Sequence, residues 1–474
     1  MPAESKVQFF AKQQKIYPKR VWGKYRKIKW IIMLITLGIY YLAPWIRWDR
    51  GINAPDQAIL FDIPNSRAFF FFIEIWPQEV YYITGILIIA AIGLFFVTSL
   101  FGRAWCGYIC PQTVWTDLFV WVERILQGDR HQRLKLDKSK FSFNKFSRLL
   151  ATHLVWIIIS VLTGGAWVFY FNDAPTLMLQ LINQDVPWSV TGWVVALTGS
   201  TYLLAGFGRE QVCNYMCPYA RFQSAMFDEE SLIICYDELR GEPRSARKKD
   251  SSWEGRGHCI DCKICVHVCP AGIDIRDGLQ MECIACGMCI DACNNVMDKL
   301  KLPRGLVRYD TELNHKLRKE NKQEAVHIFR KRTILYVSVL FITISTMLYG
   351  LINRSPIELH VLHDRNPIFV ELSDSRIRNG YDIKILNKTH QDKNYKLTIS
   401  GIDDLDIKIA VAGNIMGNKW FNSLPVFADS IGHFRVFLTA QKQNNARQQL
   451  IFNVEDVYTK IKENSDSIFI SSLE

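Results

Sequence analysis

The sequence predicts an integral membrane protein of several domains: a five-helix α-helical membrane domain, a cysteine-rich module between its fourth and fifth helices, and a C-terminal immunoglobulin-like β-sandwich. Three observations predict it. Five apolar blocks are long enough to cross a bilayer, all 13 cysteines fall between Cys106 and Cys293, and beyond Asn353 apolar and polar residues alternate with a period of two. A chain of 474 residues is too long for one core. The boundaries fall at 1–29 (basic leader), 30–208 (first four helices), 209–332 (cysteine-rich segment, its module at about 250–298), 333–352 (fifth helix) and 353–474 (sandwich). An odd, unevenly placed cysteine set excludes a secreted disulfide scaffold.

A bilayer core asks for about 20 apolar residues per helix. Trp30–Ile46, Val80–Leu100, Leu149–Phe171, Trp188–Phe207 and Thr333–Ile352 meet that demand. Trp30, Trp45 and Trp48 suit the interfacial belts of the first block. A long basic leader precedes it and no small-residue cleavage site follows, so it is not a removable signal. Nine Lys and Arg lie at or before Lys29 and eight more run from Arg124 to Arg148, whereas Asn172–Pro187 has none. The positive-inside rule therefore places the leader, the second loop and 208–332 in the cytoplasm and the tail after Asn353 outside. That placement accounts for the net charge of +11 without nucleic acid. It also leaves every cysteine on the reducing side of the membrane.

The runs Cys259-x2-Cys262-x2-Cys265-x3-Cys269-Pro270 and Cys283-x2-Cys286-x2-Cys289-x3-Cys293 have the bacterial ferredoxin spacing. In that pattern three close thiolates hold one cluster and the fourth ligates the other. Cys259, Cys262, Cys265 and Cys293 are thus expected on one 4Fe–4S cluster, and Cys283, Cys286, Cys289 and Cys269 on the second. Structural zinc uses pairs of short Cys-x2–4-Cys units, not such triplets. Small residues between the ligands, Ala285 and Gly287, allow backbone N–H groups to approach the sulfurs. Asn294 stands where a second proline would, and removes no ligand.

The second and fourth apolar blocks end alike: Phe101-Gly102-Arg103 leads to Cys106-x3-Cys110-Pro111, and Phe207-Gly208-Arg209 leads to Cys213-x3-Cys217-Pro218, offset by one residue before the first cysteine. Such a duplicated pair could gather four thiols at the membrane surface. On a helix the two sulfurs of each motif would share a face, too far apart for a relaxed disulfide and better suited to a soft ion such as Cu(I). Pro111 and Pro218 also fit the first turn of a following helix, which would leave each Cys-x3-Cys in a loop. Inert buried thiols are the plain alternative. Cys235 stands alone and reads as a packed residue. After Pro111 an amphipathic helix is expected, lying in the interface or packed on another helix.

In the tail, Ile357–Leu362, Ile368–Leu372, Tyr381–Leu386, Tyr395–Ile399, Asp406–Val411, His433–Thr439 and Gln449–Val454 read as strands, with turns at Asn379-Gly380 and Gly413-Asn414. His360 and His363 read as structural or solvated.

The stretch Cys259–Asp298, with Phe-Gly-Arg-Ala-Trp-Cys-Gly-Tyr-Ile-Cys-Pro upstream, resembles the cytochrome c oxidase accessory proteins known as CcoG, FixG or RdxA, and the resemblance covers essentially the whole chain. It implies a bacterial inner-membrane protein with its clusters cytoplasmic and its sandwich periplasmic. It further implies a cupric reductase that supplies Cu(I) during assembly of cbb3-type oxidase, with membrane lipid, copper ions and oxidase assembly proteins as partners. The eight ferredoxin cysteines would be the cluster ligands, and Cys106, Cys110, Cys213 and Cys217 the copper-handling thiols. No flavin or nicotinamide fingerprint is present, so the electron donor is another protein or a quinol. A quinol-linked relay subunit and a scaffold with structural clusters are the competing readings; the small relay subunits generally lack the sandwich.

Overall fold

The computed structural model describes residues 15–51, 54–246, 253–324, 327, 329–411, 414–416, 423–443 and 445–471. The chain divides into two compact units, Met1–Ile46 with Gln57–Met347, and Arg47–Asp56 with Leu348–Glu474.

The apolar blocks form helices α1 (Lys24–Leu42), α2 (Tyr81–Phe101), α3 (Phe143–Val168), α4 (Trp188–Leu203) and α5 (Lys331–Ile352), all in the first unit except the end of α5 from Leu348. Among the described residues, five helical stretches are long and apolar enough to cross a membrane. Helix α1 begins six residues before the expected Trp30, because the Asp291 carboxylate accepts from the amides of Tyr25 (3.3 Å) and Arg26 (2.8 Å) at its start. Arg26 and Lys29 are consequently buried around Asp117, whose carboxylate takes two bonds from Arg26 (2.9 and 2.7 Å) and lies 3.8 Å from Lys29. Part of the leader's positive charge therefore belongs to the fold. Helix α4 stops at Leu203, and Leu204–Gly208 makes a π turn.

The amphipathic segment after Pro111 is the helix Pro111–Gln127, and it packs: Phe119 and Val122 meet Trp156 of α3 and Ala205. The cysteine-rich module is built on the antiparallel strands Ile233–Tyr236 and Val307–Asp310, with the helices Ile264–Val268 and Met288–Lys299. Its core comprises Ile234, Ile275, Ile290, Met297 and Leu306. Cys235 is a strand residue opposite Arg308, outside every cysteine group.

The second unit is a two-sheet sandwich around Tyr381, Tyr395, Phe452 and Phe469. One sheet runs Asn414–Met416, Asp406–Val411, Ser430–Gln441, Arg376–Asn387, Ile357–His363, with Val370–Glu371 beside Arg376–Asn387; the other runs Leu424–Val426, Lys393–Ser400, Arg447–Asp456, Lys462–Ile470. Asn379-Gly380 is not a turn. Both lie inside the strand Arg376–Asn387, where the fully buried Asn379 exchanges hydrogen bonds with the backbone of Ile470 (2.9 and 3.0 Å) and Gly380 makes room for Asp364. Gly413 lies outside the described residues. His363 hydrogen-bonds Asn379 and the Asp364 carbonyl, both at 2.7 Å, as a structural residue would.

Candidate metal centres

Each ferredoxin run wraps in the same way. The residue before the second cysteine and the one after it are left-handed: Asp261 (φ 51°) and Lys263 (φ 52°) in the first run, Ala285 (φ 51°) and Gly287 (φ 73°) in the second. This backbone turns successive N–H groups toward the enclosed space. It, and not the small side chains, is what both runs share. A short helix follows each loop, carrying Cys265 on Ile264–Val268, and Cys289 and Cys293 on Met288–Lys299.

The runs cross. Cys259, Cys262, Cys265 and Cys293 line one small cavity. Cys269, Cys283, Cys286 and Cys289 line a second, with Cys265 in the wall between them. Backbone amides of Ala271 and Ile273 donate to Cys269, Ala285 to Cys283, and Val307 to Cys293. Burial, and then the sulfurs of Cys265, Cys259 and Cys262, push the Cys293 thiol up to about 12; burial and then Cys286 do the same to Cys269. Thiols so crowded are costly to ionise alone, and a cationic iron group among them reverses that cost. Two sets of four sulfurs, each around its own gap and met by amides, fit two 4Fe–4S clusters.

The duplicated motif forms a third group. Cys106 sits in the π turn Trp105–Ile109, closed by Cys110 N–H to Trp105 O at 2.9 Å; Cys213 sits in Val212–Met216, closed by Cys217 N–H to Val212 O at 2.8 Å. Cys110 and Cys217 cap the helices that begin at Pro111 and Pro218. The geometry is thus a wide turn followed by a cap, neither regular helix nor open loop. All four cysteines line one cavity of about 460 Å³, whose other wall includes Arg103, Met281, Glu282 and Ile284.

That wall joins the thiols to the ferredoxin loop. Gly107 lies so close that a Cβ there would be 2.6 Å from the Ile284 oxygen. Tyr108 Oη donates to the Cys286 carbonyl at 3.1 Å and Tyr309 Oη to the Ala285 carbonyl at 2.5 Å. Buried Arg103 donates to the carbonyls of Met281, Cys283 (3.2 Å) and Ala220 (3.1 Å). Gln223 Oε1 accepts from the Cys106 thiol at 3.4 Å. Arg103 and Tyr108 stand inside the sequence motifs, which give them no role of their own; Tyr309 and Gln223 lie outside every motif and carry no local signal.

The arrangement defines a membrane-bound iron–sulfur protein that transfers electrons. The 4Fe–4S dicluster domain family matches residues 208–312, and a 4Fe–4S binding domain family matches twice, at 83–128 and 186–229, once on each half of the duplicated motif. The immunoglobulin-like fold at the C-terminus of FixG matches 347–472. The chain is 46% identical to the nitrogen fixation protein FixG of Rhizobium meliloti over 94% of its own length and 90% of that protein's. It is 44% identical to protein RdxB of Cereibacter sphaeroides over 97% of both. It is 45% identical to RdxA of the same organism over 91% of this chain and 90% of that one. The chain belongs to the FixG/RdxA family.

Proposed function

We propose that this protein reduces Cu(II) to Cu(I) at Cys106, Cys110, Cys213 and Cys217, and so supports assembly of a cbb3-type oxidase in the bacterial inner membrane. Cys259, Cys262, Cys265 and Cys293 would hold one 4Fe–4S cluster and Cys283, Cys286, Cys289 and Cys269 the other. Bound there, the clusters supply one-electron storage at potentials set by charge, burial and amide hydrogen bonds. In this reading the N-terminus and clusters face the cytoplasm and the sandwich faces the periplasm, as the Lys and Arg distribution favours.

The observation that carries the proposal is the shared cavity wall: four soft donors from the two halves of a duplication surround a space bounded on one side by Met281, Glu282 and Ile284, next to Cys283. Thiolates favour Cu(I), so a set of four makes one-electron reduction of the incoming ion easier. Burial, and then Cys110, push the Cys106 thiol up to about 12, so copper uptake expels protons. Each Cu(II) takes one electron and leaves as Cu(I) to a soft-ligand acceptor.

The test is anaerobic purification with iron, sulfide and copper analysis, then Cu(II) reduction by protein reduced and freed of excess dithionite. Cys106→Ala, Cys110→Ala, Cys213→Ala and Cys217→Ala should keep their iron and lose copper reduction. Undiminished reduction in all four would remove these thiols from the copper site.

A further inference from the structure

We infer that a membrane quinol binds between α3 and the π turn that ends α4, and that it is the electron donor. The inference rests on the copper-reductase reading above and names its reductant. The site is a cavity of about 320 Å³ lined by His153, Trp156, Phe207, Gln127, Arg209 and Glu210 among others, within the range of small-molecule sites, about 300–1,000 Å³. Its apolar side is a wall of three rings. His153 stacks on Phe207 at 6.0 Å and 16°, and Trp156 stands edge-on to both at 5.3 and 6.1 Å.

The polar groups select the ligand. His153 Nδ1 is engaged with Tyr202 Oη at 2.9 Å, which fixes the ring and leaves Nε2 without a partner among the described residues. The cations lining the cavity are already paired: Lys15 with Asp137 at 3.0 Å, and Arg209 with Glu123 at 2.7 Å, a carboxylate shared with Arg133 (2.6 Å), and Glu210 in the lining offsets the one charge that sharing leaves over. An anionic headgroup therefore finds no open charge. A planar ring with hydroxyl edges finds an aromatic wall and one imidazole nitrogen. Phe207 is half exposed at the end of a membrane helix, where a lipid-dissolved molecule could enter.

Arg209 and Glu210 also border a neighbouring cavity whose far side is formed by Cys213, Pro270 and Ile284. The proposed quinol site thus shares Arg209 and Glu210 with a cavity that Cys213 of the thiol group lines. Oxidation of one quinol to quinone releases two electrons and two protons and reduces two Cu(II) to two Cu(I). The first proton goes to His153 Nε2, and the second to water at the polar end of the cavity.

The experiment uses the whole iron-loaded protein in detergent. Equilibrium binding of decylubiquinone should be saturable, and His153→Leu should weaken it about tenfold, the worth of one lost hydrogen bond in a closed site. His153→Gln, which keeps a polar side chain, should recover part of the loss; unchanged iron content reports that each variant has folded. Decylubiquinol should also drive Cu(II) reduction by the parent, read as chelated Cu(I). Absence of saturable binding, or equal binding by parent and His153→Leu at equal iron content, overturns the inference while leaving copper reduction by pre-reduced protein untouched. Saturable binding by a parent that cannot reduce Cu(II) when pre-reduced would instead sink the copper reading alone.

Discussion

Replacing Arg103 by Ala should dismantle one metal centre selectively. The buried guanidinium holds the carbonyls of Met281 and Cys283, which lead into the second ferredoxin run, and of Ala220, on the helix that Cys217 caps. A hydrogen bond to a charged group is worth about 1.5–3 kcal/mol, and a buried acceptor stripped of its donor costs about 1–3 kcal/mol. Three such bonds are not additive, so a local loss of about 3–5 kcal/mol is expected. It should fall on the Met281–Cys286 loop, because Cys259, Cys262, Cys265 and Cys293 have no part in Arg103's contacts. Anaerobically purified Arg103→Ala should keep about half the parent's iron and one of its two cluster signals in electron paramagnetic resonance. Arg103→Lys, a point charge without the guanidinium fork, should fall between. Full iron content with both signals in Arg103→Ala would refute the view that this arginine ties the thiol cavity to the cluster loop.

Gly107→Ala puts a Cβ 2.6 Å from the Ile284 oxygen and 3.1 Å from that of Ala285, both backbone, at a cost of about 1–3 kcal/mol; the spectrum of the reduced protein should change, and an identical one would show that turn and loop do not touch. Asp117→Ala leaves Arg26 and Lys29 buried without their carboxylate, and thermal unfolding should register about 3–5 kcal/mol. Burial alone would raise the Asp117 carboxyl, but Lys29, Arg26 and Arg124 hold it below the usual range. The stability gap between parent and variant should therefore be full above about pH 3.9 and close as pH falls through the lower folded-state value. In the sandwich, Asn379→Ala strips two buried bonds from Ile470, and hydrogen exchange of Lys462–Ile470 should quicken by about 30-fold or more, equivalent to about 2 kcal/mol.

The apolar blocks were legible because a bilayer enforces length and composition together, and the ferredoxin runs because ligand spacing is rigid. The sandwich was legible where burial alternates along a strand, as in His433–Thr439 within Ser430–Gln441. It was not at Lys462–Ile470, whose polar run looks like loop. That segment is the edge of its sheet, and nine backbone pairs with Arg447–Asp456 supply the order its side chains do not advertise. Asn379-Gly380 misled for a related reason: a turn dipeptide by composition was being used for a cross-sheet bond and a close approach. The start of α1 depended on Asp291, 265 residues from Arg26, a contact no local pattern contains.

The duplicated motif shows how backbone geometry can outlast side-chain identity. Aligned on Gly-Arg, its halves are out of step by one residue. In the fold the step disappears: Gly102 (φ 57°, ψ −128°) and Arg209 (φ 42°, ψ −120°) adopt the same left-handed turn, each four residues before the first cysteine. Arginine there costs about 1–3 kcal/mol, offset by its buried bonds to Glu123 and the Gly206 carbonyl, both at 2.7 Å. The true counterpart of Arg103 is therefore Glu210. One half places a cation against the ferredoxin loop, and the other places a carboxylate at the cavity beside α3. A symmetric pair of thiol turns has acquired two unlike faces. That asymmetry is what a centre needs if electrons are to be stored on one side of it and supplied from the other.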